Sequence, residues 1–162
     1  MNGKLPELSA ILAYHQMPLL ERVIAGRQRW NTTYRDALAG VPGIRFQRIP
    51  AGARSNHQYT AILIEPDEFG RSRDHVRHAL LEHGIVTKPY FSPPLHHLTC
   101  YAGKLRCDDL RVTDSISESV LCLPIHPDEP VDAAAVVAER IRSLARPPRK
   151  WMSSPSVSVH NA

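Results

Sequence analysis

Two stretches hold the residue types from which a site could be built. Asn2-Gly3-Lys4 stands directly ahead of a long amphipathic pattern. A helix start carries free N–H groups and a partial positive charge, so an anion such as a phosphate is favoured there. Asn2 adds an amide donor and Lys4 a point charge; the same residues also suit an ordinary helix start. The second stretch is Tyr90-Phe91-Ser92-Pro93-Pro94-Leu95-His96-His97, followed by Tyr101. Its prolines stiffen the loop and its rings offer aromatic surface. A histidine held there could bind a polar ligand or move a proton, and it could equally be a solvated loop residue. His75 and His78 are three apart on a predicted helix, with His83 beyond. No cysteine or carboxylate at a diagnostic spacing completes a ligand set, so they read as exposed helix residues and no metal site is expected. Cys100, Cys107 and Cys122 form no CxxC pair and read as free thiols of a reducing cytosol. A nucleophile elbow, a phosphate-binding Gly-rich loop, a dinucleotide fingerprint and HExxH are all missing.

The elements that must position these groups come from a chain of 162 residues, 43% hydrophobic and 22% charged. That suits one soluble domain of ordinary size. Net charge is +4, from 20 Lys+Arg and 16 Asp+Glu, with the charges scattered in mixed-sign neighbours such as Glu21-Arg22. This argues against a nucleic-acid partner, which would show a denser basic stripe. No apolar run approaches the roughly 20 residues of a membrane span, and no basic start leads into an apolar core. The expectation is a cytoplasmic protein with no membrane partner.

Apolar residues from Leu8 to Leu38 recur at three- to four-residue steps and predict a helix over 6–38, with Pro6 at its first position and a kink at Pro18. Residues 44–50 read as extended and 57–65 as the clearest strand. Ser72 caps a helix over 73–83 that Gly84 ends, and residues 85–87 form a further short strand. Residues 88–103 are irregular. Ser115-Ile116-Ser117-Glu118 matches a capping box for a helix over 113–119. A strand over 120–124, a helix over 128–145 and a disordered tail over 147–162 complete the chain. The fold class is α+β: a short sheet with helices on one side, preceded by a long helix. The organisation is a helical segment over 1–38, an α+β domain over 39–146 and the tail. The first helix is long for so small a sheet and calls for a larger partner.

The motifs, taken in order, add a resemblance. Asn2-Gly3-Lys4-Leu5-Pro6-Glu7-Leu8-Ser9-Ala10 is similar to the Asn-x-Arg/Lys-Met-Ser-Glu-x-x-Ala stretch of the DegT/DnrJ/StrS family. These are PLP-dependent aminotransferases acting on nucleotide-linked keto sugars. The likeness continues through Leu20-Glu21-Arg22, His57-Gln58-Tyr59, Arg73-Asp74, the stretch from Tyr90 to His96, and Leu121-Cys122-Leu123-Pro124-Ile125-His126-Pro127. The Tyr-Phe-Ser-Pro-Pro-Leu-His form is closest to members that aminate dideoxy-sugar precursors. The resemblance implies the C-terminal small domain of a fold-type-I PLP transferase, with PLP as cofactor. It also implies a nucleotide-sugar substrate, an amino donor such as glutamate, and a homodimer or a complementing N-terminal half.

Residue by residue, the resemblance makes Asn2 the contact to a cofactor phosphate in a neighbouring subunit, with Lys4 beside it. It makes His96 the loop histidine over the substrate, and Tyr90 and Tyr101 sugar or nucleotide contacts. Pro6 replaces the family's usual Ser, and Pro18 is unusual for it. No lysine of this chain matches the one that carries the cofactor as a Schiff base, and no residue matches the acid on the pyridinium nitrogen. The expectation is therefore a truncated or split aminotransferase, or an incomplete sequence of one, that does not transaminate alone and has no catalytic residue of its own. The alternative is a non-catalytic remnant or interaction subunit paired with an intact enzyme.

Overall fold

The first long pattern splits at its proline. In the computed structural model, which describes residues 3–101, 104 and 108–146, helix α1 spans Glu7–Gln16 and helix α2 Leu20–Ala37. A 3₁₀ turn over Met17–Leu19 joins them at Pro18, which cannot donate the next helical hydrogen bond. Pro6 is the residue before the helix rather than its first turn, with an extended backbone. Asn2, Cys107 and the expected tail over 147–162 lie outside the described residues.

Three strands follow: β1 over Ile44–Phe46, β2 over Thr60–Ile64 and β3 over Val120–Leu123. They form one antiparallel sheet in the order β1-β2-β3. Register places Ile44 opposite Ile64, and Ile62 opposite both Phe46 and Leu121. Those rows share a face because side chains alternate along a strand. Ile62, Ile64, Leu121 and Leu123 meet Trp30, Tyr34 and Leu38 of α2 in one core. The same core takes Val76 and Leu80 of helix α4 (Arg73–Leu81) and Ala134, Val137, Ala138 and Ile141 of helix α6 (Asp132–Leu144). A one-turn helix α3, Pro66–Phe69, adds Phe69 to it.

Several expected elements differ: the stretch over 44–50 is a strand only at Ile44–Phe46, and the last helix, expected over 128–145, starts at Asp132. The strand expected over 57–65 begins only at Thr60, because Ser55 Oγ and Asn56 Oδ1 accept from the backbone N–H groups of His57 and Gln58, at 3.0 and 3.1 Å. Such local turns compete with the ladder. Residues 85–87 do not form a strand. Ile85 N donates to Leu80 O (3.0 Å) and Gly84 N to Leu81 O (2.9 Å), so the segment closes the end of α4 around the left-handed Gly84. Pairing begins at Lys88, which exchanges two hydrogen bonds with Cys122 on the far edge of β3. Helix α5 spans Arg111–Ser119, two residues longer at its start than the expected 113–119. Asp109 Oδ1 accepts from Arg111 N at 3.1 Å in a local turn just ahead of the helix, so the chain enters it before the box is reached.

Helix α1 buries none of its residues; Leu8 is 80% and Leu12 59% exposed. Helix α2 is anchored instead by Trp30 Nε1 donating to Glu129 O (3.2 Å) and Tyr34 Oη to Pro124 O (3.0 Å). Among the described residues no helix is long and apolar enough to cross a membrane.

Candidate functional site

The irregular segment after Lys88 is fastened at both ends. Its start is the two-bond bridge to Cys122. Pro94 is buried and closes a 3₁₀ turn over Leu95–His97 through His97 N–H donating to its carbonyl at 3.0 Å. Tyr101 lies on a second such turn, Thr99–Tyr101, and is partly exposed. Between the two fastenings, Tyr90 stands edge-on to Tyr59, ring centres 5.4 Å apart, and beside Phe91 at 5.1 Å.

Tyr90 borders three hollows. The first, about 350 Å³, is lined by Gln58, Tyr59, Lys88, Cys122 and His126. The second, about 530 Å³, is lined by Pro89, Phe91, Pro93, Leu95 and Leu98. The third, about 270 Å³, lies against Leu95, Thr113, Ile116 and Val120. Aromatic walls beside a few polar groups suit a ligand with flat or apolar faces and hydroxyls. Burial pushes the Cys122 thiol up, and a backbone hydrogen bond at Tyr90 partly offsets it. A separate hollow of about 380 Å³ between α2 and the loop before β2 is lined by Glu21, Gln28, Arg54 and His57. There burial, then the positive charge of Arg35, holds the His57 pKa below its usual value. None of the sequence candidates borders that hollow.

Two residues that sequence reasoning passed over hold this region. Arg73, 6% exposed, sends Nη1 to the carbonyls of Ser117 (3.2 Å) and Val120 (3.0 Å) and Nη2 to Ser92 Oγ (3.4 Å). It thereby ties the start of α4 to the end of α5 and to the loop. Its Nε is 2.7 Å from Asp74 Oδ1, a charge contact that lacks hydrogen-bond alignment. One signal was available: a cation in the first turn of a helix opposes the helix dipole, so it needs another partner.

The second is Asp114. His96 Nε2 donates to Asp114 Oδ1 at 2.9 Å, and His97 Nε2 lies 3.5 Å from the same oxygen. In sequence Asp114 looks like a routine first-turn acid. The three ligand atoms lie within 4.8 Å of one another, the number of protein ligands in an open metal site. The His96–Asp114 hydrogen bond already accounts for two of them.

Of the sequence candidates, Tyr90 and His96 share one loop, with Tyr101 close along the chain. Lys4 lies exposed in the lead-in to α1 and borders none of the hollows above. Among the described residues no lysine is placed to carry the cofactor that the resemblance implies. Lys4, Lys88 and Lys104 are all exposed and on separate segments, whereas a lysine that serves as an imine-forming nucleophile is desolvated or set beside an activating group.

Comparison with known proteins agrees with the motif order. Residues 1–142 match the model of the DegT/DnrJ/EryC1/StrS aminotransferase family. The dTDP-4-amino-4,6-dideoxy-D-glucose transaminase of Escherichia coli is 34% identical over 130 residues, which cover 79% of this chain and 35% of that protein. The Shigella dysenteriae transaminase of the same name is 31% identical, covering 88% and 39%. The chain thus spans little more than a third of the curated relatives it matches. Among solved structures, DesI in the presence of its TDP-sugar product superposes with a TM-score of 0.72 at 28% identity, covering 83% of this chain and 33% of that one. A DegT DnrJ EryC1 StrS aminotransferase from Brucella abortus gives 0.75 at 27%, covering 90% and 37%.

Proposed function

Because the chain belongs to the DegT/DnrJ/EryC1/StrS aminotransferase family, we propose that it is the C-terminal, substrate-facing portion of a PLP-dependent aminotransferase that aminates a nucleotide-linked keto sugar. The observation that carries this is the fastened loop bearing Tyr90 and His96. It carries aromatic walls and, in the turn that follows them, a histidine already held by a carboxylate. A nucleotide sugar offers flat and apolar faces to such walls and hydroxyls or a diphosphate to the ring nitrogen. The related DesI, solved with its TDP-sugar product, supports the substrate class.

In this reading Tyr90 and Tyr101 contact the sugar or nucleotide. Asn2 and Lys4 face the phosphate of a cofactor held by another chain or subunit, glutamate serves as amino donor, and the assembly is a dimer. The work is done in the cytoplasm, where the thiols of Cys100 and Cys122 stay reduced. With no lysine among the described residues fitted to carry the cofactor, the chain does not transaminate by itself.

A titration of the chain with dTDP-glucose tests the reading. Binding should be detectable and should weaken about tenfold in His96→Ala, the loss of one good polar contact. Binding indifferent to His96 would refute the site. Turnover of a keto-sugar nucleotide by the isolated chain with PLP and glutamate, abolished by replacing one lysine, would refute the claim that it cannot act alone. A second reading, an interaction subunit paired with an intact aminotransferase, draws its support from the uncovered apolar residues of α1.

A further inference from the structure

We propose that Asp114 is the positioning residue of the His96 contact, fixing the ring so that Nδ1 is the atom left for a ligand. The proposal rests on the reading of His96 given above. Each partner of the pair is held by its own backbone. Asp114 sits in the first turn of α5, its N–H donating to Leu110 O at 3.0 Å and its carbonyl accepting from Ser117 Oγ at 2.9 Å. His96 sits in the 3₁₀ turn that follows the buried Pro94. The two elements meet at one hollow, where Leu95 and Thr113, the residues just before His96 and Asp114, both line the wall beside Tyr90. The pair thus ties together the two elements that form this wall, each partner next in sequence to a residue that lines it.

A carboxylate is an acceptor only, so the His96 nitrogen facing it at 2.9 Å must carry the proton. In the neutral ring this leaves Nδ1 as an acceptor, ready for a ligand hydroxyl; in the charged ring Nδ1 becomes a donor, suited to a phosphate oxygen. Either way the carboxylate decides which atom is presented. His96 Nδ1 has no hydrogen-bond partner among the described residues. With the side chain 11% exposed, the ring has little freedom to turn once Nε2 is held. His97, its ring tilted 60° to that of His96 with centres 4.2 Å apart and its side chain 56% exposed, lies at the longer 3.5 Å from the same oxygen and is the weaker of the two partners.

Nitrogen-resolved NMR of the imidazoles tests the pairing without any ligand. Wild type should show one slowly exchanging, strongly deshielded Nε2–H that disappears in His96→Gln and persists in His97→Gln. It should be lost in Asp114→Ala and kept in Asp114→Asn, which retains an accepting oxygen. Asp114→Ser, too short to reach the ring, replaces Asp114→Ala if melting shows that variant unfolded. Thymidine diphosphate is the probe for function. His96→Ala and Asp114→Ala should each weaken its binding about tenfold, and the double variant should be no weaker than His96→Ala alone. A resonance that survives in folded Asp114→Ala, or losses that multiply to about a hundredfold, would overturn the proposal. If wild type shows the resonance yet takes no thymidine diphosphate, the substrate reading of His96 fails while the Asp114–His96 pair stands.

Discussion

Replacing Arg73 by methionine asks how much one buried guanidinium holds. The side chain is 6% exposed, and methionine fills most of its stem without its donors. Two carbonyls lose their partner, Ser117 O at 3.2 Å and Val120 O at 3.0 Å. They lie at the C-terminal end of α5, where a helix leaves carbonyls without internal partners and where a cation is also favoured by the helix dipole. Leaving a buried acceptor unpaired costs about 1–3 kcal/mol, so two cost about 2–6. Against this, methionine avoids the expense of burying a charge, which offsets part of the loss. The Asp74 contact adds little, because that carboxylate is 70% exposed and screened. The net expectation for Arg73→Met is a loss of about 2–3 kcal/mol, or about 4–12 °C in Tm for a chain of this size. Urea unfolding followed by far-UV circular dichroism measures it, with the midpoint shifting at constant slope. Arg73 also reaches Ser92 Oγ at 3.4 Å, so amide exchange across residues 90–97 should quicken more than in the strands. A loss below about 0.5 kcal/mol would show that those carbonyls need no guanidinium. Unchanged exchange in a destabilised variant would refute the coupling between Arg73 and the loop.

Other expectations follow from single contacts. A Cβ at Gly26 would lie within 2.3 Å of Pro127 O and 2.8 Å of Pro127 Cβ. Gly26→Ala should therefore lose about 1–2 kcal/mol by overpacking, even though alanine in a helix ordinarily gains about 1; thermal melting that shows a more stable variant would contradict the close approach. Burial pushes the Tyr34 hydroxyl well above its usual value. With the folded pKa raised, its stabilising contribution is complete below the unfolded pKa of about 10 and is lost as pH climbs beyond it. Tyr34→Phe should cost about 1 kcal/mol at neutral pH for the bond to Pro124 O. It should also flatten the fall in stability above about pH 10; an unchanged alkaline slope would count against the burial. Leu8, Leu12 and Leu19 are all more than half exposed, and an apolar row of that kind favours association. Sizing should show self-association that Leu8→Lys with Leu12→Glu reduces; a monodisperse wild-type monomer would go against it.

The sequence made the sheet and the main helices legible because their signals are local. The β-branched residues of β2, the proline between α1 and α2 and the Ser72 cap each act within a few residues. What stayed hidden depends on competition or on distance. Residues 57–59 carry strand-like side chains, yet Ser55 and Asn56 take their backbone donors first. Ile85 reads as the start of a strand until its N–H is spent on Leu80 O. The Ser115 box is a capping sequence overtaken by a helix that already starts at Arg111, behind the Asp109 turn six residues before the box. In the site, the loop and its aromatic character were readable, and so was His96 as its candidate. Asp114 was not, because a first-turn acid is ordinary and its partner lies 18 residues earlier in another element. Arg73 could be placed on its helix, but its three partners come from segments that only the fold brings to it.

The placement of α1 separates two questions that the family relationship joins. The core is built from α2, α3, α4, α6 and the sheet, and α1 buries nothing in it. The site loop is fastened by the Lys88–Cys122 bridge, by Arg73 and by Asp114, none of which belongs to α1. The geometry around Tyr90 and His96 therefore does not depend on what covers Leu8 and Leu12. Substitutions on α1 that break association should leave thymidine diphosphate affinity within about twofold, since distant sites without shared partners act independently. Asp114→Ala should do the reverse, weakening the nucleotide and sparing association. If the α1 variants instead abolish nucleotide binding, the ligand site is shared with whatever covers that helix, and the loop alone is not the contact surface.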